Sequence, residues 1–249
     1  HSLICFTIYF PYLLCMELSK LLTIVIPCKN EGQTINQTLT LLNFQNNING
    51  VKVIIADASD DGTTYQLENR NRDYFNLEII QGGLPSKARN KGAERVTTPF
   101  ILFLDADMMI LHTDLLNECM EIITKERLDL LTTKVRTTNG KYNYVFRTFD
   151  LIQGITRYIT PFCLGGFMLI RRTTFESLNG FDEEATVAED YLLSKEIKTN
   201  KFKIYDKTVF TLPRRFENKG LWYMTKLMIQ SFLNRNNKEY FSNHNSYWK

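Results

Sequence analysis

From Leu22 onward, short apolar runs alternate with amphipathic stretches: LLTIVIP, TINQTLTLLNF, VKVIIAD, TTYQLENRNRDY, LEII, PSKARNKGAERV and FILFLD follow one another in that order. Strand-like and helix-like segments in alternation are the pattern of a sheet whose parallel strands are joined by crossover helices. VKVIIA and FILFL are apolar without a break, as strands must be when helices cover both faces of the sheet. The expected class is α/β, a Rossmann-like mixed but mainly parallel sheet flanked by helices. In such sheets ligands gather beyond the carboxyl ends of the strands. Four polar clusters sit there: Lys29 to Glu31, Asp57 to Asp61, Gly82 to Arg89, and Asp105 to Asp107.

After Met108 the alternation is less regular. The spacing predicts a helix over Thr113–Arg127, a strand at LLTTKVR, a helix over Tyr142–Tyr158, and a strand at GGFMLIRR entered through a glycine pair. A helix TTFESL, a turn NGFDEE and a helix from Asp190 follow. The last predicted helix, GLWYMTKLMIQSFLNR, repeats Leu221, Met224, Leu227, Met228 and Phe232 at helical spacing. Such a stripe fits a core-packing helix, and equally an interfacial helix lying on a membrane. The opening residues 1–15 are apolar, lack a basic n-region and are short for a membrane span. They are read as upstream sequence or a short hydrophobic anchor, with residues 16–249 forming one domain that ends in a basic amphipathic helix.

Hydrophobic residues make up 44% and charged residues 23% of the 249 residues, which excludes a disordered chain. A net charge of +3 gives no bulk electrostatic case for nucleic acid. The charge is nevertheless uneven. Lys195 to Lys249 carries twelve basic residues against four acidic ones, so the tail is strongly positive and the remainder net negative. Such an end faces polyanions or membranes, or is simply a solvated lysine-rich surface. Five scattered cysteines, no Cys-x-x-Cys and three histidines point to reduced thiols in a cytosolic setting and no structural zinc.

The strongest local signal is Asp105-Ala106-Asp107 directly after FILFL. Two carboxylates one residue apart at the mouth of a sheet can share a divalent cation and a nucleotide, because hard cations prefer oxygen ligands. Acidic pairs also cap helices, so position carries the signal. Walker, G-x-G-x-x-G and G-x-S-x-G patterns are absent, and no histidine sits in a nucleophile pattern. Acid and base work falls to carboxylates. Glu189-Asp190 at a predicted helix start is the best-placed pair, since a helix N-terminus holds an ionised carboxylate. Helix capping by the same residues is the alternative.

Taken in order, TIVIPCKNE, IIADASDDGT, SKARNKGA, the DAD, GGFMLIRR, NGFDE, AED and PRRF resemble an inverting family 2 glycosyltransferase of GT-A fold, over roughly Leu22 to Gly220. The resemblance implies that Pro27, Glu31 and Asp57 hold the base and ribose of a nucleotide-sugar donor. Where such chains carry two acidic residues after the second strand, this one has Ala56 and Asp57. The resemblance further implies a nucleotide contact at Arg89, a ribose-side contact at Asp105, and Mn²⁺ or Mg²⁺ at Asp107 with Asp105 beside it. Gly165, Gly166 and Glu189 would meet the donor sugar or acceptor, Asp190 would be the base, and Arg214 and Arg215 would recognise phosphate. A surface arginine is the alternative for Arg89, Arg214 and Arg215, and a strand-ending turn for Pro27.

PRRF stands in place of QxxRW, which argues against a processive polysaccharide synthase. UDP is the first expectation for the nucleotide, with GDP and dTDP open. The acceptor is a hydroxyl, lipid-linked or otherwise hydrophobic, and the enzyme is expected in the cytoplasm, peripheral on the inner membrane face. Rival readings are a catalytically silent nucleotide-sugar-binding adaptor and a haloacid-dehalogenase-like phosphatase. The latter places its Asp-x-Asp after the first strand and follows it with glycine, whereas here Met108-Met109 follow.

Overall fold

The computed structural model describes residues 17–70, 73–234 and 237–242. Residues 1–15, read above as upstream sequence or an anchor, lie outside the described residues. The strands are β1 (Leu22–Cys28), β2 (Lys52–Asp57), β3 (Asn76–Gln81), β4 (Phe100–Leu104), β5 (Met108–Met109), β6 (Leu130–Thr137), β7 (Phe167–Arg171) and β8 (Phe202–Thr211). The helices are α1 (Leu18–Leu21), α2 (Gly32–Asn43), α3 (Thr63–Glu68), α4 (Pro85–Ala93), α5 (Leu115–Lys125), α6 (Asn143–Thr156), α7 (Arg172–Ser177), α8 (Glu189–Ser194), α9 (Arg214–Lys219), α10 (Leu221–Leu233) and α11 (Lys238–Ser242).

All the described strands join one sheet in the order β3-β2-β1-β4-β7-β6-β8-β5. Strands β1 to β4 are parallel, β7 runs against β4 and β6, and β8 is parallel to β6. The parallel strands expected from the alternation are thus present, within a mixed sheet as the GT-A resemblance implies. Strand β8 was not anticipated: FKIYDKTVFT mixes charges with β-branched and aromatic residues and shows no clean alternation. It occupies the outer part of the sheet, where half-buried positions tolerate that mixture.

Side-chain alternation sends each central strand into two cores. Leu102 and Leu104 of β4, with Ile24 and Ile26 of β1, pack under Ile35, Leu39, Cys119 and Met120 of α2 and α5. Ile101, Phe103 and Val25 face the other way, toward Phe175 and Leu193 of α7 and α8. Helix α4 lies so close to β1 that a Cβ on Gly92 would come within 2.3 Å of Val25 Cγ1.

Polarity of the strands decides where chemistry can sit. The carboxyl ends of β1, β2, β3, β4, β6 and β8 and the amino end of the antiparallel β7 share one edge. Chain order reverses at β1, with β2 on one side and β4 on the other, the switch point where such sheets open a crevice. Pro27 fits this plan. Cys28 O accepts from Ala58 N, so its neighbour Pro27 faces the β4 side, where pairing has already stopped at Val25 and Phe103. The missing N–H costs no ladder bond there.

The Gly92 contact yields a test. Gly to Ala in an exposed helix normally stabilises by about 1 kcal/mol. Here overpacking against β1 outweighs propensity, and Gly92→Ala is expected to lose about 1–3 kcal/mol in urea denaturation.

Candidate active site

The shared sheet edge opens into a cavity of about 710 Å³. Its floor is polar, made by Arg89, Asp105, Asp107, Gly165, Glu189 and Asp190. Its walls are apolar and come from α6, from Phe162 and Leu164, and from α10. Leu221 and Leu227 of the wall belong to the stripe singled out in the last helix, whereas the α6 wall was not singled out, since an apolar stripe reads as core whether it touches protein or a cavity.

Arg89 is the centre of the floor. It is 3% exposed, which removes the surface-arginine alternative. Its guanidinium donates to Glu189 Oε1 at 2.5 Å and to Asp105 Oδ1 at 2.6 Å, and it lies over the Phe181 ring. Burial alone would depress its pKa; Asp105 and Glu189 outweigh that and hold it protonated. The neighbouring Asn90 explains why the motif is long. Its amide takes both backbone groups of Phe181, donating to Phe181 O at 2.8 Å and accepting from Phe181 N at 2.9 Å. The SKARNKGA and NGFDE segments are therefore one contact. Gly180, at φ +73, leaves no room for a Cβ beside Asn90 Oδ1.

Asp190 sits beside this network. Its Oδ2 accepts from Gly165 N at 2.6 Å and its Oδ1 from its neighbour Tyr191 N at 2.8 Å. Burial, followed by the like charge of Glu189, pushes its carboxyl up to about 7, against the opposing pull of Arg89 and the two amides. Gly165 is required by the approach, since a Cβ there would come within 3.0 Å of Asp190 Oδ2. A Cβ on Gly166 would strike Met108 Sδ, and Gly166 O accepts from Asp105 N, so the glycine pair is pinned between both acidic groups. Ala188 precedes the pair at φ 55, a left-handed conformation that alanine rarely adopts. Such strain is stored where the surrounding structure fixes a functional turn.

Asp107 reaches the cavity with Oδ2 accepting from the Thr211 hydroxyl at 3.0 Å. Thr211 ends β8, the strand not anticipated, and pairs with Met108 of β5. Among the described residues no group of three or more His, Cys, Asp or Glu gathers to cage a metal. One oriented carboxylate with Asp105 nearby fits a divalent cation that arrives with a diphosphate and takes its other ligands from phosphate and water.

Glu31 and Arg214, distant in sequence, are brought together: Arg214 donates to Glu31 Oε2 at 2.5 Å. The side chain of Arg215 lies outside the described residues. Asp57 is buried with its oxygens bonded inside its own loop, accepting from Ser59 N and from the Ser59 and Thr64 hydroxyls. Ser59 Oγ in turn accepts from Asn30 N, which ties the loops after β1 and β2 into one surface. Of the five cysteines, Cys28, Cys119 and Cys163 are buried free thiols whose pKa values burial raises, while Cys5 and Cys15 lie outside the described residues. Among the described residues no helix is long and apolar enough to cross a membrane.

Residues 23–178, well over half of the chain, match the family described as Glycosyl transferase family 2. The chain belongs to that family. A processive diacylglycerol beta-glycosyltransferase of Mycoplasma genitalium is 25% identical over 214 residues, covering 83% of this chain and 58% of that relative. The chain thus spans little more than half the length of that relative. Among solved structures, S. aureus TarS residues 1–349 in complex with UDP superpose with a TM-score of 0.60 at 21% identity, over 86% of this chain and 71% of that one. The mannosyltransferase PcManGT of Pyrobaculum calidifontis, in complex with GDP-Man and Mn²⁺, gives 0.63 at 16% identity, over 91% and 71%. The fold is the GT-A glycosyltransferase fold. Glu189, Asp190, Thr211 and Arg214 all lie beyond the region matched to the family.

Arg89→Met leaves Asp105 and Glu189 without their shared cation. A loss of about 3 kcal/mol is expected in urea denaturation at neutral pH. The deficit should shrink as pH falls and the stranded carboxylates take up protons, whereas a purely steric defect would persist.

Proposed function

We propose that this chain is an inverting glycosyltransferase that moves a sugar from a nucleoside-diphosphate sugar, UDP-sugar first, to a hydroxyl of a membrane lipid. The observation that carries the reading is Asp190: a carboxylate raised to about 7 on the polar floor of an apolar-walled cavity, fixed by two backbone amides. A base with that pKa is about half ionised at neutral pH, and its ionised form is a stronger proton acceptor than an ordinary carboxylate. Asp190 takes the proton as the acceptor oxygen forms its bond to the anomeric carbon. The bond from that carbon to the diphosphate oxygen breaks on the opposite face, its electron pair leaves with the diphosphate, and configuration inverts.

The donor half of the site is assigned to Asp105 on the floor and to the loops after β1 and β2, which lie outside the cavity lining. Pro27, Glu31 and Asp57 line the loops where base and ribose would rest. Asp105, oriented by Arg89, faces the ribose side. Arg214 and Arg215 are assigned to phosphate recognition, with Glu31 holding Arg214 until the donor arrives. Gly165, Gly166 and Glu189 meet the sugar or acceptor. Asp107 would hold Mn²⁺ or Mg²⁺, which when bound supplies neutralisation of charge on the leaving diphosphate.

A lipid acceptor is supported by the apolar walls and by the diacylglycerol glycosyltransferase activity of the Mycoplasma genitalium relative. A membrane-peripheral position at the cytoplasmic face follows from that acceptor, and the buried free thiols accord with a reducing compartment. Retention of a poised base argues against a silent adaptor, and the strand order places Asp105-Ala106-Asp107 after β4, unlike the phosphatase plan.

Three measurements test the reading. Asp190→Asn should lower kcat roughly 100- to 10,000-fold while leaving UDP affinity unchanged. In the unsubstituted enzyme kcat/KM should fall as pH drops through about 7, because protonation of Asp190 removes the base. Asp107→Asn should abolish the strengthening of UDP binding by Mn²⁺ in calorimetry. Failure to bind UDP, GDP or dTDP, with or without Mn²⁺, would sink the transferase reading.

A further inference from the structure

The rim of the cavity is apolar where it meets solvent. Tyr144, Ile152, Ile229 and Leu233 line the cavity and are each at least 41% exposed, so they stand at its mouth. Outside the mouth, α6 and the turn after it continue the surface. Leu151, Ile155, Tyr158 and Ile159 recur at helical spacing on the solvent side, Ile159 at 79% exposure. Trp222 on α10 is also 79% exposed. The opposite face of α6 is already satisfied, with Val145, Phe146 and Gln153 buried. A helix apolar on both sides, flanked by tyrosines and a tryptophan, has the composition of a segment that rests at a bilayer interface.

The charge around the patch selects the kind of bilayer. Arg147, Lys219 and Lys226 are exposed, and the Arg157 guanidinium stacks on the Tyr158 ring. The acidic member of α6, Asp150, is drawn inward by its ion pair with Arg136. Cationic side chains beside exposed aliphatic ones attract anionic headgroups and then insert.

We infer that the outer face of α6, with Trp222 and the cavity rim, is a docking surface for an anionic lipid bilayer, so that the cavity mouth opens into the lipid and not into water. This rests on the lipid-acceptor reading and gives it a route: the acceptor enters sideways from the bilayer, its chains along the apolar walls and its hydroxyl toward Asp190. The residues divide cleanly for a test. Ile155, Ile159 and Trp222 lie outside the cavity lining, so changing them spares the site.

The full chain is mixed with vesicles of phosphatidylcholine with and without phosphatidylglycerol and sedimented. Binding is expected to the anionic vesicles, weakening with salt. The pair Ile155→Glu and Ile159→Glu together should weaken it on the order of 100-fold. Trp222 emission should shift to the blue on binding and be quenched by lipids brominated in the acyl chain, a signal that Trp222→Phe removes. UDP binding by the paired variant reports that the fold is intact. No sedimentation with anionic vesicles, or unchanged binding by the paired variant, overturns the inference. So does a dimer of the unsubstituted chain that the paired variant dissociates without any vesicle binding. Transfer to a short-chain, water-soluble diacylglycerol separates the two readings. If transfer persists and vesicle binding fails, docking alone falls. If vesicle binding holds and transfer fails, the acceptor reading falls.

Discussion

The buried guanidinium of Arg89 is the interaction on which the site depends. Asp105 comes from the end of β4 and Glu189 from the start of α8, and the chain between them supplies β5, β6 and β7. A cation between them makes these two elements mutually necessary: each carboxylate helps hold the buried Arg89 in place for the other. Buried ion pairs seldom add net stability over apolar packing, but removing one member is costly. Such an arrangement defines position. It sets Asp190, the next residue along, within bonding distance of Gly165 N.

Topology does the rest of the assembly. Six strand carboxyl ends and the reversed β7 deliver their loops to one edge, so residues as far apart as Glu31 and Arg214 become neighbours without a long excursion of the chain. The hydroxyl of Thr211 reaches Asp107 because β8 is parallel to β6 and therefore ends on the same side. None of these pairings needs a special motif. They follow from strand direction, which follows in turn from crossover connections in the first half and reversals at β7 and β5.

The first half of this arrangement was legible because its signals are local. VKVIIA and FILFL are strands buried on both faces, and the acidic residues after them fall where parallel sheets bind ligands. The role of Asn90 was not legible: the ARN segment reads as a ligand contact, yet Asn90 spends its amide on the backbone of Phe181. Arg89 could be named but its burial could not, since burial depends on Glu189 arriving from a hundred residues away. Strand β8 was missed because FKIYDKTVFT lacks a period, its half-exposed place in the sheet demanding none. The α6 wall of the cavity escaped for a different reason. Val145 and Phe146 are buried in core while Leu151 and Ile155 on the same helix are exposed, and an apolar periodicity alone does not distinguish the two.

Apolar walls and a raised carboxyl are two results of one cause. Asp190 is displaced from the ordinary carboxylate range chiefly by loss of solvent, with Glu189 adding to it. Wider access of water would return Asp190 toward the ordinary carboxylate range and make it a weaker base for the proposed proton transfer. The same water would compete with the acceptor as a nucleophile for the donor sugar. Excluding it therefore serves transfer over hydrolysis as well as proton removal. A polar acceptor could not provide that exclusion from its own side of the cavity. An acyl chain lying along α6 and α10 could, closing the site with the acceptor itself. Burial raises the Asp190 carboxyl, and an acyl chain of the proposed acceptor would complete the dry surroundings in which the proposed base acts.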